Sequence, residues 1–149
     1  MDNRLRQEIV AILDEANDMT IATLRPDGYP QATTVSYVNE GMTIWFGSAT
    51  DSQKARNIAG CDKVSLTVNL PYRTWEEIRG VSICGRAARV TDAEEMAKIG
   101  RLMLDKFPRV ADYAMAGMEE IALFRITPEV VSVLDYRLGF GHTELTSVD

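Results

Sequence analysis

Histidine and cysteine are almost missing from this chain of 149 residues, which holds one His and two Cys. Two cysteines make no disulfide framework. With His142 the lone imidazole, and Cys61 and Cys84 far apart, no zinc set is expected. Nor is there a nucleophile–histidine pair at a persuasive spacing, so acyl transfer has no support. Basic residues are also short: 16 Lys and Arg stand against 22 Asp and Glu, a net charge of −6. Nucleic-acid affinity rests on neutralising phosphates, so no nucleic-acid partner is expected. No apolar run approaches the roughly 20 residues of a membrane-spanning helix. The charged N-terminus lacks the apolar centre of a secretory signal. A reducing cytoplasm, without a membrane partner, is therefore the expected setting. There Cys84, in an apolar run, is expected as a small buried hydrophobe, and Cys61, behind a helix, as an exposed thiol.

What remains is an ordinary globular balance, 46% hydrophobic and 26% charged, long enough for one domain over residues 1–149 with a proper core. Leu5, Ile9, Ile12, Leu13 and Ala16 fall on one face of a helix over 2–17. Strands are expected at 19–24, 30–38, 42–47, 63–69, 79–90, 119–126 and 130–136, the last two parted by Thr127-Pro128. Turns fall at Arg25-Pro26-Asp27-Gly28 and Asn39-Glu40-Gly41. Gly85 marks a bend or bulge. A second helix opens at Thr91-Asp92-Ala93-Glu94 and runs to about Lys106, with Met96, Ile99, Leu102, Met103 and Lys106 as its core stripe. Strands arranged in hairpins, counted as about six around a barrel spanning about 19–136, predict an antiparallel Greek-key α+β fold. A polar tail occupies 137–149.

The richest stretch follows the third strand. Trp45-Phe46-Gly47-Ser48 leads through Ala49-Thr50-Asp51 into Ser52-Gln53-Lys54-Ala55-Arg56-Asn57-Ile58, the start of a short helix. Hydroxyls, a helix N-terminus and a lysine converging in one place suit a phosphate. The bland reading makes Ser52 a plain helix cap and Lys54 a solvated surface residue.

The order of these pieces resembles the pyridoxamine 5'-phosphate oxidase-like, FMN-binding split-barrel family, over roughly residues 19–136. Ala22-Thr23-Leu24, Gln31-Ala32-Thr33-Thr34-Val35-Ser36, Lys63-Val64-Ser65-Leu66 and Val81-Ser82-Ile83-Cys84-Gly85-Arg86-Ala87 carry it, together with the helix start. The tail around Leu134-Asp135-Tyr136-Arg137 and Gly139-Phe140-Gly141-His142 looks like that of the small, general-stress-protein-like members. The resemblance implies a six-stranded split β-barrel and a homodimer with FMN at the subunit interface. Ala32, Thr33, Thr34 and Val35 would lie along the flavin ring. Phe46, Gly47 and Ser48 would flank the ribityl chain, Ser52, Gln53 and Lys54 would hold the phosphate, and Gly80 would meet the ring or ribityl chain.

Strand alternation sends Thr33 and Thr34 to opposite faces, so both side chains are not expected to touch one ligand. The flavin-facing strand begins with Gln31 and ends with Ser36, where oxidases of the family commonly carry basic residues. The Trp-Arg-Leu segment that binds pyridoxal phosphate in true oxidases is also missing; Arg137-Leu138 echoes a fragment of it. The expected function is an FMN-dependent oxidoreductase on a small substrate with NAD(P)H as a candidate reductant, but not an efficient pyridoxamine 5'-phosphate oxidase. The alternatives are a non-catalytic flavin-binding or stress-related protein and a relative using deazaflavin F420. A haem role has less support, with His142 its one candidate histidine ligand. Trp45 is expected in core or interface, and Trp75, in a polar loop, is a candidate to cover a partner or ligand.

Overall fold

In the computed structural model, residues 1–114 and 120–149 are described. The chain runs α1 (Asn3–Glu15), β1 (Asp18–Leu24), β2 (Pro30–Ser36), β3 (Val38–Glu40), β4 (Thr43–Ala49), α2 (Gln53–Gly60) and β5 (Lys63–Asn69). After a 3-10 turn at Trp75–Glu77 come β6 (Arg79–Arg89), α3 (Ala93–Lys106), α4 (Val110–Ala114) and β7 (Ile121–Asp135). A second 3-10 turn, Tyr136–Leu138, leads to β8 (Thr143–Ser147). No helix among the described residues is long and apolar enough to cross a membrane.

All strand pairs are antiparallel, in the order β2-β1-β5-β6-β7-β4-β3, with β8 added beside β7. The two ends of that order, β2 and β3, are consecutive in the chain and meet at Tyr37, so the sheet curls back on itself as a split barrel. Tyr37 fixes the corner. It is fully buried, and its hydroxyl donates to Leu13 O at 2.6 Å, which ties the last turn of α1 to the barrel. Burial pushes the Tyr37 phenol well above its usual range. Leu5, Ile9, Ile12 and Leu13 of α1 join Ile21, Ile44, Phe46, Leu66, Ile83 and Ile126 in the main core. Asp2 caps α1 by accepting from Arg4 N.

Several sequence expectations change here. Among the described residues the strand count is eight, because the expected 30–38 strand breaks at Tyr37 and the polar tail supplies β8. The expected strands at 119–126 and 130–136 are one continuous β7, although Glu119 lies outside the described residues. Pro128 is tolerated because β7 changes partner there. One edge pairs with β4 over 121–126 and with β8 over 130–134, so the proline falls where no ladder bond is due on that side. On the opposite edge β6 shifts register between Cys84 and Gly85, the irregularity expected at Gly85. A Cβ at Gly85 would lie 2.5 Å from Thr127 O.

Cys84 is exposed on the outer face of β6, with its Sγ 3.4 Å from Ser65 Oγ, because the alternation that buries Ile83 turns it outward. Cys61 is half-buried rather than fully exposed. In the α3 stripe Ile99 is buried, Leu102 and Met103 are partly buried, and Met96 is exposed. That face packs on Val38, Trp45 and Val90 in a small second core. Trp45 is therefore a core residue. Its Nε1 donates to Glu95 Oε2 at 2.9 Å, and Arg125 Nη1 donates to Glu95 Oε1 at 2.7 Å. These bonds hold the Glu95 carboxyl below its usual range, the Trp45 bond contributing most.

Candidate functional site

β4 delivers the chain to the start of α2, and Ser52 caps that helix. Its Oγ accepts from Ala55 N at 3.0 Å and lies 2.8 Å from Ser48 Oγ. The cap is satisfied by protein alone. Gln53 and Lys54, the next two residues, carry first-turn N–H groups that have no acceptor within a helix. Lys54 is half-buried, and desolvation holds its ammonium below the usual lysine range with no carboxylate among the described residues opposing the shift. It is therefore a cation short of a counter-charge beside open N–H donors, a combination that favours an anion.

β2 ends the sheet order and pairs only with β1, leaving its other edge open among the described residues. Alternation divides the four expected ring contacts. Ala32 and Thr34 are exposed on the outer face, with Thr34 Oγ1 3.3 Å from Thr20 Oγ1. Thr33 and Val35 turn the other way, and Val35 packs against the core. The Thr33 hydroxyl is buried without a hydrogen-bond partner among the described residues. A buried polar atom left unpaired is costly, and a ligand group is one way to satisfy it.

Other expected contacts are explained by the fold itself. The Phe46 side chain is fully buried and stacks on Phe124 at 5.2 Å, which leaves only its backbone for a ligand. A Cβ at Gly47 would come within 3.2 Å of Ile121 Cγ2, so this glycine makes room for β7. At Gly80 a Cβ would lie 2.7 Å from Asn69 Oδ1 and 2.8 Å from Val68 O, crowding within the sheet itself.

The Gln53 side chain turns to protein partners. Its Nε2 donates to Asn57 Oδ1 at 2.8 Å, and its Oε1 accepts from Arg56 Nη2 at 3.0 Å. Asn57 is buried and donates from Nδ2 to Thr23 Oγ1 at 3.0 Å and to Gln31 Oε1 at 3.2 Å. This network bolts α2 to β1 and β2, and sequence reasoning missed it. Its signal was the i, i+4 pair Gln53 and Asn57, an amide on the helix face that also carries apolar residues.

Trp75 is exposed and lies on Phe140, ring centroids 5.6 Å apart, while Phe140 meets Tyr136 at 5.5 Å. The nearby cations are paired. Arg137 Nη2 donates to Asp135 Oδ2 at 2.7 Å, and Arg79 Nη2 to Glu8 Oε2 at 2.9 Å. A cleft of about 240 Å³ lies on the far side of α2, between Ala55, Ile58, Ala87 and Phe124, and includes none of the expected ligand residues. The expected site is thus a strand edge and a helix end, open in a single chain.

The curled antiparallel sheet with its flanking helices defines a split-barrel protein. A family model described as pyridoxamine 5'-phosphate oxidase matches residues 5–135, and the chain belongs to that family. A curated relative from Verminephrobacter eiseniae (strain EF01-2), named pyridoxine/pyridoxamine 5'-phosphate oxidase, is 34% identical over 125 residues. The match covers 81% of this chain and 55% of the relative, so the chain spans about half that protein's length. A heme binding protein from Mycobacterium smegmatis superposes with a TM-score of 0.83 at 21% identity, covering 99% of this chain and 59% of that one. General Stress Protein 26 from Bacillus anthracis str. Sterne superposes with a TM-score of 0.68 at 16% identity, over 97% of this chain and 99% of that one. At such identities the two structures show a shared fold.

Proposed function

We propose that this chain is an FMN-binding flavoprotein, with the flavin held between two copies of the chain, and that it acts as an oxidoreductase on a small substrate. The observation that carries the reading is Lys54, a half-buried cation with no opposing carboxylate among the described residues, at the open first turn of α2. FMN carries a phosphate of nearly two negative charges, which suits that end of the helix. The orphaned Thr33 hydroxyl and the free edge of β2 offer polar contacts of the kind a flavin ring takes. When bound, FMN would supply the hydride and electron chemistry. The chain's residues bind the phosphate, orient the ring and exclude water. None of them is assigned as an acid or base.

The second copy is supported by the outer face of the sheet. Thr34, Thr20, Thr67, Ser82 and Ser132 stand in register across five strands, an uncharged row of small hydroxyl residues. The proposed contacts lie on the open edge of β2 and at the end of α2, outside the cleft of about 240 Å³, so enclosing a flavin there calls for a second surface. The paired states of Arg137 and Arg79 leave little free charge for a second phosphate, against efficient turnover of pyridoxamine 5'-phosphate. The alternatives are a passive flavin binder and an F420-binding relative. Anaerobic addition of NADH or NADPH to the FMN-loaded protein tests the enzymatic reading. Bleaching of the flavin bands supports a reductase, and unchanged bands with FMN bound support the passive binder.

A further inference from the structure

The amide network behind α2 has a fixed polarity, and that polarity reaches the edge of β2. A guanidinium only donates. Arg56 Nη2 therefore identifies the Gln53 atom it meets, at 3.0 Å, as the carbonyl oxygen. The Gln53 amide nitrogen must then face Asn57, which it does at 2.8 Å from Oδ1. With its oxygen occupied there, Asn57 presents Nδ2 to Thr23 Oγ1 and Gln31 Oε1, at 3.0 and 3.2 Å. Gln31 is thus held by its oxygen, and its Nε2 is left pointing out of the network, without a protein partner among the described residues. Gln31 is half-buried and lies two residues before Thr33, on the same face of β2 as the unpartnered Thr33 hydroxyl.

We propose that Gln31 is a specificity-determining residue of the FMN site. It offers a neutral N–H donor whose direction is set from Arg56 through Gln53 and Asn57. Its partner in the ligand is an acceptor atom, an oxygen or an unprotonated ring nitrogen. Asn57, fully buried and making three side-chain hydrogen bonds, is the positioning residue. Free amides flip at little cost, so without the relay Gln31 would present its carbonyl or its nitrogen to the ligand with comparable ease. The relay removes that ambiguity. Asn57→Asp inverts it: a carboxylate accepts only, so the Gln31 nitrogen is drawn inward and its carbonyl is turned toward the ligand.

The inference rests on the FMN reading, and its test separates the two. ¹⁵N-labelled protein is titrated with FMN, following the Gln31 side-chain NH₂ resonances and flavin fluorescence together. Gln31→Met, which keeps the shape and removes both the donor and the oxygen that Asn57 binds, is titrated in parallel, with apo-protein melting as a check on folding. The expected result is a shifted Gln31 NH₂ pair in the wild type and a three- to tenfold weaker Kd in Gln31→Met, about the value of one neutral hydrogen bond. The apo melting temperature falls modestly, because Asn57 Nδ2 loses the Gln31 oxygen, and the two Kd values are compared well below it. Asn57→Asp, where it folds, leaves the Gln31 NH₂ pair unmoved by FMN. Wild-type binding with unmoved Gln31 resonances, or equal affinity in Gln31→Met, overturns the role of Gln31. No FMN binding by the wild type overturns the FMN reading instead.

Discussion

Replacing Lys54 with Ala probes the phosphate end of the site most directly. In the free protein Lys54 bears a cost. Its ammonium is half-buried with no opposing carboxylate among the described residues, and desolvation lowers its pKa from 10.5. The unfolded chain binds the proton more tightly, so this residue lowers apo stability at neutral pH. The penalty falls away as pH rises through the depressed pKa toward 10.5. A bound phosphate reverses the balance by giving the cation its counter-charge. Lys54→Ala should therefore weaken FMN binding by the value of a charge-assisted contact, about 1.5–3 kcal/mol, or roughly 10- to 150-fold in Kd. The apo protein should melt no lower than the wild type at neutral pH. Wild-type affinity should also fall as pH rises past the Lys54 pKa, and the variant should lose that dependence. Flavin-fluorescence titration of apo protein at several pH values measures all of this. An unchanged Kd in Lys54→Ala would return Lys54 to the solvated surface and remove the phosphate site at α2.

Four other outcomes follow from the geometry. Sedimentation equilibrium should give a dimer at micromolar concentration, whereas a flavin-loaded monomer would contradict a site shared by two copies. Tyr37→Phe removes the buried bond to Leu13 O, and urea denaturation should show a loss of about 1–3 kcal/mol. Because the Glu95 carboxyl is depressed by Trp45 and Arg125, the stability it confers is full above about pH 4.5 and is lost as pH falls through its lower folded value; Glu95→Gln should flatten that part of the stability profile. Oxygen-dependent formation of pyridoxal 5'-phosphate should stay below about 1 per second, and faster turnover would show that the paired Arg137 and Arg79 do serve a second phosphate.

The fold was legible wherever periodicity and caps agreed. α1 and α3 lie close to where the apolar spacing puts them, α3 capped by Asp92 within the expected box rather than by Thr91, and Gly85 marks a true register shift. The miscounted strands have one cause. A strand's continuity depends on which partner it has on each edge, and neither Tyr37 at the barrel corner nor Pro128 at the change from β4 to β8 announces that in its local sequence. Cys84 was misjudged because an apolar run was read as buried throughout, when alternation exposes every second residue. In the candidate site, the cap at Ser52 and the cation at Lys54 were readable from local chemistry. The reasons for Phe46, Gly47 and Gly80 were not, because they lie in strands distant in sequence. The Thr23, Gln31, Gln53 and Asn57 network was hidden for the same reason: it joins three elements, and no window contains it.

The visible absorption spectrum of the full chain, as purified and after addition of FMN and gel filtration, tests most directly whether the protein carries FMN. Flavin bands should travel with the protein, at a stoichiometry of one FMN per chain. A spectrum dominated by a haem Soret band, or protein that emerges colourless after exposure to FMN, would contradict this.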